Sequence, residues 1–110
     1  MRKLLAALLF VPAMAHAEFW TGNKLYERLG SSDVIERSQG LGYVMGVYDV
    51  AVHALFCPIE GNITAGQIRD MVFNWLGNNP HRRHESAEKL VTEVFKQVWP
   101  CRNRSSRGGV

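Results

Sequence analysis

The sequence predicts an all-α fold: a compact four-helix domain stapled by one disulfide, behind a cleaved signal peptide. Three observations lead there. Apolar residues recur at helical spacing in four stretches, and no segment alternates long enough to build a sheet. The first seventeen residues are composed like an export signal. The two cysteines, Cys57 and Cys101, stand where the second and fourth helices are expected to stop.

The export signal comes first in the chain. MRK is a short basic start, LLAALLFVPAMA an apolar run, and Ala15-His16-Ala17 a small-x-small cleavage site. Such a run is shorter than the roughly twenty residues that span a bilayer, so stable membrane insertion is not expected. The expected organisation is a signal peptide at 1–17, a helical domain at 18–101 and a disordered tail at 102–110. The exported chain is then periplasmic. Charge follows the same division. The chain has 13 basic and 10 acidic residues, but Arg2 and Lys3 leave with the signal. Three more, Arg102, Arg104 and Arg107, lie in the tail. The domain itself has no basic excess, so nucleic-acid binding is not expected.

The first helix is expected from about Thr21 to Leu29, with Leu25 and Leu29 on its apolar side, before the turn cluster Gly30-Ser31-Ser32-Asp33. The second runs from Asp33 or Val34 to Leu55, with Val44, Val47, Tyr48, Ala51 and Leu55 on one face. Gly40, Gly42 and Gly46 weaken it by about 1 kcal/mol each relative to alanine. Gly42 and Gly46, four apart, suggest close helix packing, and Gly40 a bend. Pro58 pushes Cys57 out of helical geometry and ends the helix. The third helix has the clearest start, a capping box of Thr64 and Gln67 with Ile63 and Ile68 as a hydrophobic staple. Ile68, Met71, Val72, Trp75 and Leu76 form its inner face. Asn79-Pro80 suits the start of the fourth, as cap and first residue. Ala87, Leu90, Val91, Val94, Phe95, Val98 and Trp99 are its buried face, and Pro100 stops it. A single cysteine pair in a small exported domain reads as a disulfide, which over this loop contributes about 4 kcal/mol in the chain-entropy account.

The stretch NNPHRRHES, Asn78 to Ser86, is the richest in chemistry. His81, His84 and Glu85 suggest a metal site, but zinc wants three or four ligands with an organised outer shell, and Arg82 and Arg83 repel a cation. No metal or cofactor is expected. Two readings stay open: a solvated first turn of the fourth helix, or a loop that contacts a partner through Asn78, Asn79, His81, Arg82, Arg83 and Glu85. The stretch from Gly40 to Gly46 resembles a dinucleotide loop but lacks the strand such a loop needs. Asp49, inside the second helix, is expected to be exposed or hydrogen-bonded rather than catalytic.

A resemblance rests on motifs in order along the chain. They are Phe19-x-x-Gly22-Asn23-x-Leu25, Gly42-Tyr43-Val44-x-Gly46-Val47-x-Asp49, and Cys57-Pro58 with Thr64-x-x-Gln67-x-x-Asp70. Then come Asn79-Pro80-x-x-Arg83, Ala87-x-x-Leu90-Val91 and Trp99-Pro100-Cys101. The series resembles the Rap/Tai group of periplasmic immunity proteins of bacterial type VI secretion. The resemblance implies an all-helical, often dimeric protein with no enzymatic activity. It implies a toxin–antitoxin relation: the protein binds a cognate secreted effector, typically a peptidoglycan amidase, and plugs its cleft with a helix and a protruding loop. Many members carry a second cysteine pair, near the end of the first helix and just before Gly-Tyr-Val. Here those places read Glu27-Arg28-Leu29-Gly30 and Gln39-Gly40-Leu41.

Two other functional classes compete on the residues. A small periplasmic chaperone would bind many unfolded clients weakly. A cell-wall enzyme would need a nucleophile and base that the sequence does not offer. For a homodimer surface, Phe19, Trp20 and Tyr26 are the aromatic candidates.

Overall fold

The computed structural model describes residues 19–59 and 61–102. The expected signal peptide and nearly all of the expected tail lie outside them. Among the described residues there are four α-helices and no strand: α1 (Gly22–Leu29), α2 (Val34–Ala51), α3 (Ala65–Asn78) and α4 (Ala87–Val98), with a 3-10 turn at Pro80–Arg82. Cys57 and Cys101 are disulfide-bonded, so the expected four-helix, singly stapled domain is found.

Local capping sets three of the starts. Thr21 accepts a hydrogen bond from Lys24 N–H at 3.2 Å, and Asp33 from Ile35 and Glu36 N–H. The Thr64–Gln67 box is complete, at 3.1 Å from Gln67 N–H to Thr64 Oγ1 and 2.8 Å from Thr64 N–H to Gln67 Oε1. The inner faces of α1, α3 and α4 then meet in one core, where Leu25, Leu29, Ile68, Val72, Leu76, Leu90, Val91 and Phe95 are buried.

The second helix ends earlier than expected, at Ala51 rather than Leu55. Val52 is extended, His53 takes a φ of 68°, and His53 N–H donates to Phe56 O at 2.7 Å. This tight reversal puts Phe56 into the core among Tyr48, Phe95 and Trp99, and leaves Leu55 exposed. Burying a whole phenyl ring there outweighs continuing the helix for one more turn. Cys57 N–H donates to Trp99 O at 2.8 Å, so backbone and disulfide join the same two ends.

The glycines divide differently from expectation. A Cβ on Gly40 would lie 2.9 Å from Leu29 Cδ2 and 3.1 Å from Arg28 Cβ. Close helix packing between α1 and α2 is therefore at Gly40. Within the described domain a Cβ on Gly42 or Gly46 would meet nothing within 4 Å, so those two are not packing glycines. Where the resemblance leads one to look for a second cysteine pair, Arg28 donates to Gln39 Oε1 and Gly40 seats against Leu29. Noncovalent contacts join α1 to α2 in that place.

Candidate functional site

The segment between α3 and α4 is not the first turn of a helix, as Asn79-Pro80 suggested. Asn79 precedes the 3-10 turn, and Ser86 stands at the N-cap of α4. The physical reason is a competing claim on the backbone. The first N–H groups of α1 have no partner within their own helix. Gly22 N–H donates to Glu85 O at 2.9 Å and Asn23 N–H to Arg83 O at 2.8 Å. Ala87 N–H donates in return to Trp20 O at 2.8 Å. The stretch that turns these carbonyls towards α1 lies outside the helix, and α4 starts after it, from its N-cap Ser86.

The two arginines expected to reach a partner are turned inward. Arg83 lies over the Tyr26 ring, 4.2 Å from its centroid, and donates to Leu76 O and Asn23 Oδ1, each at 3.2 Å. It places a cation at the carbonyl end of α3, where the helix dipole favours one. Asn79 supports the same end by donating to Trp75 O at 2.8 Å. Arg82 donates to both carboxylate oxygens of Glu85 and of Glu93 and lies over Trp75. Lys89 adds a contact to Glu85 at 3.1 Å. Hydrogen bonds from Arg82 and then Lys89 hold the Glu85 carboxyl down to about 2, and Arg82 holds Glu93 below the usual carboxylate range. The same carboxylates raise Arg82 above its ordinary value.

The turn therefore has an inner and an outer side. Arg82, Arg83, Glu85 and Asn79 are half-buried and fix its shape. Asn78, Pro80, His81 and His84 are exposed. Among the described residues no three His, Cys, Asp or Glu side chains gather to hold a metal. The only two thiols are joined in the disulfide, so neither serves as a nucleophile in this state. What the geometry offers is a rigid, polar edge.

The other singled-out residues lie elsewhere. Tyr43 stacks on Trp20 at 4.9 Å, and burial, then the charge of Glu88, raises its pKa. Asp49 is exposed on α2. Pro58, Trp99 and Pro100 sit around the disulfide, with Trp99 buried. Of the aromatic dimer candidates only Phe19 is free: Trp20 stacks on Tyr43, and Tyr26 lies against Arg83 and Phe73. The anchoring role of Arg82 was not anticipated. Its signal was the four-residue spacing of Glu85, Lys89 and Glu93, which places alternating charges along one side of α4 and the turn before it.

Among the described residues no helix is long and apolar enough to cross a membrane. A family model described as Rap1a immunity proteins matches residues 21–101. No curated protein matches the chain.

Proposed function

The chain belongs to the Rap1a immunity protein family, and on that premise we propose that it binds and occludes a type VI secretion effector, a peptidoglycan amidase, in the periplasm. The cell that makes the effector is thereby protected from it. The protein acts by inhibition rather than catalysis. Of the proposed partner-binding residues, Asn78 and His81 reach the effector from the outward edge, while Asn79, Arg82, Arg83 and Glu85 hold that edge in shape, and the protein works as a homodimer.

The observation that carries this reading, beside family membership, is the fixed shape of the turn after α3. Both its backbone and its arginines are tied to α1, α3 and α4. A partner-binding edge that is already ordered loses little freedom on association, which favours tight inhibition from few contacts. Asn78, Pro80, His81 and His84 form the outward edge.

The test is periplasmic co-expression with the products of neighbouring reading frames. One neighbour should be toxic there and be neutralised through a tight complex with this protein. Alanine at Asn79, His81, Arg82 and Arg83 together should abolish that complex. An unchanged complex would remove the turn from the interface. A chain that binds no neighbour and many unfolded clients is a chaperone instead.

A further inference from the structure

The disulfide has two unequal ends. Cys57 is half-buried and follows Phe56, which is wholly buried, and its N–H is held by Trp99 O at 2.8 Å. Cys101 lies beyond the end of α4 and is exposed. The bond forms one wall of a groove of about 400 Å³. Ile59, 81% exposed, and Val98, 47% exposed, line the same groove with Pro100 and Arg102. Neither Ile59 nor Val98 belongs to the core, which at this end is built by Phe56, Phe95 and Trp99 around Tyr48. Two large apolar side chains thus stand in water on either side of a reachable sulfur.

We propose that Cys101 is the sulfur through which this bond is made and broken, and that the groove beside it docks the reaction partner, a protein with a reactive cysteine pair. When the bond is made, the folded chain carries two thiols and the partner a disulfide. The Cys101 thiolate attacks one sulfur of the partner; the partner's disulfide breaks and its other sulfur leaves as a thiolate. Cys57 gives up its proton to solvent and attacks Cys101 Sγ, and the partner's first sulfur leaves in turn. Two electrons pass from the two cysteines to the partner, which ends as a dithiol. The reverse begins when a thiolate of the partner attacks Cys101 Sγ and Cys57 leaves as the thiolate. Access decides which sulfur is attacked. Cys57 stays fixed by Phe56 and by its bond to Trp99 O, so it remains in place to close the cycle while Cys101 carries the partner outward.

The groove selects a protein over a small thiol. A protein surface can bury Ile59 and Val98, whereas a small charged thiol covers little of either. Arg102 brings a cation to the groove, which favours the approach of a thiolate. The thiols need no partner to find each other, because the ring cluster and the Cys57–Trp99 backbone bond already join the two segments. The partner supplies only the exchange.

The test uses the native, oxidised protein. It is incubated with a reduced Cys-x-x-Cys oxidoreductase whose second cysteine is replaced by alanine, so that the partner cannot release the adduct. Acid stops the exchange, and mass spectrometry of the digest locates the partner. The adduct should sit on Cys101, at least about tenfold in excess over Cys57. Ile59→Ser combined with Val98→Ser, both at exposed positions, should slow the adduct about tenfold while changing the reaction with reduced glutathione less than about twofold. No adduct, an adduct on Cys57, or equal amounts on both overturns the proposal. A double variant that slows protein and glutathione alike, or neither, overturns the groove as the docking surface. The wild-type mapping needs no substitution, so it decides the role of Cys101 even where the double variant misfolds. Effector binding is read separately by co-expression and stands or falls without this result.

Discussion

The guanidinium of Arg83 lies 4.2 Å above the ring of Tyr26, and the other contacts of that ring include a stack on Phe73 at 4.9 Å. Phe73 in turn carries Arg69 at 5.2 Å. Cation, ring, ring and cation thus connect the turn after α3 with α1 and with α3 itself. Arg83 is an anchor in this arrangement, and replacing it with alanine removes a cation–π contact and a charged cap on Leu76 O. The expected loss is about 1–2 kcal/mol, read by urea unfolding. Lysine restores the charge but not the planar fork, so Arg83→Lys should recover only part of it.

Acid should loosen the same region by a different route. The Glu85 carboxyl is held down to about 2, and Glu93 is lowered too. A depressed carboxylate contributes stability above its unfolded pKa and loses it as pH falls through the folded value. Unfolding midpoints should therefore drop between about pH 4.5 and about pH 2. Glu85→Gln should flatten that part of the profile. A profile identical to wild type would show that the Arg82 web does not contribute.

Glycine substitutions should separate by position. Gly40→Ala drives a methyl against Leu29 and the Arg28 stem and should destabilise by about 1–3 kcal/mol. Gly42→Ala has open space and should stabilise the monomer by about 0.5–1 kcal/mol, measured at low protein concentration.

His53 carries a left-handed backbone at φ 68° in the reversal that delivers Phe56 to the core. His53→Gly relieves this and should stabilise by about 0.5 kcal/mol. His53→Val, β-branched, should cost about 1–2 kcal/mol, both variants being read by thermal unfolding.

Replacing Cys57 and Cys101 together with serine should lower stability by about 2–4 kcal/mol. Helical circular dichroism should survive, because Phe56, Phe95 and Trp99 remain packed on Tyr48 beside the staple.

These elements were not equally legible in the chain. The start of α3 was readable because its whole signal, Thr64 to Gln67, is local. The start of α4 was not, because what delays it is a pair of hydrogen bonds to Gly22 and Asn23, some sixty residues away. Asn79 and Pro80 point to the start of α4, but they open a 3-10 turn instead, and α4 starts at Ala87. The end of α2 was obscured by its own apolar pattern, which reaches Leu55 while the core takes Phe56. Arg82 and Arg83 were legible as the notable charges of the site, whereas their inward direction depends on Trp75, Tyr26 and Glu93, which no local spacing brings together.

The bond from Asn23 N–H to Arg83 O has a further consequence, for the order of folding. The ribosome delivers α1 before the other helices, yet the carbonyls that complete its first turn arrive only with the approach to α4. Closing a loop of this span precedes any gain from the contact, so such long-range pairings form late and slowly. An emerging chain holds α1 with its Thr21 cap but without the partners of Gly22 and Asn23, and with Leu25 and Leu29 uncovered, until nearly the whole domain has been synthesised. Under the periplasmic reading proposed above, that interval keeps the chain threadable through a translocation pore, and a substitution that shortens it by stabilising α1 alone should slow passage while leaving the finished fold intact.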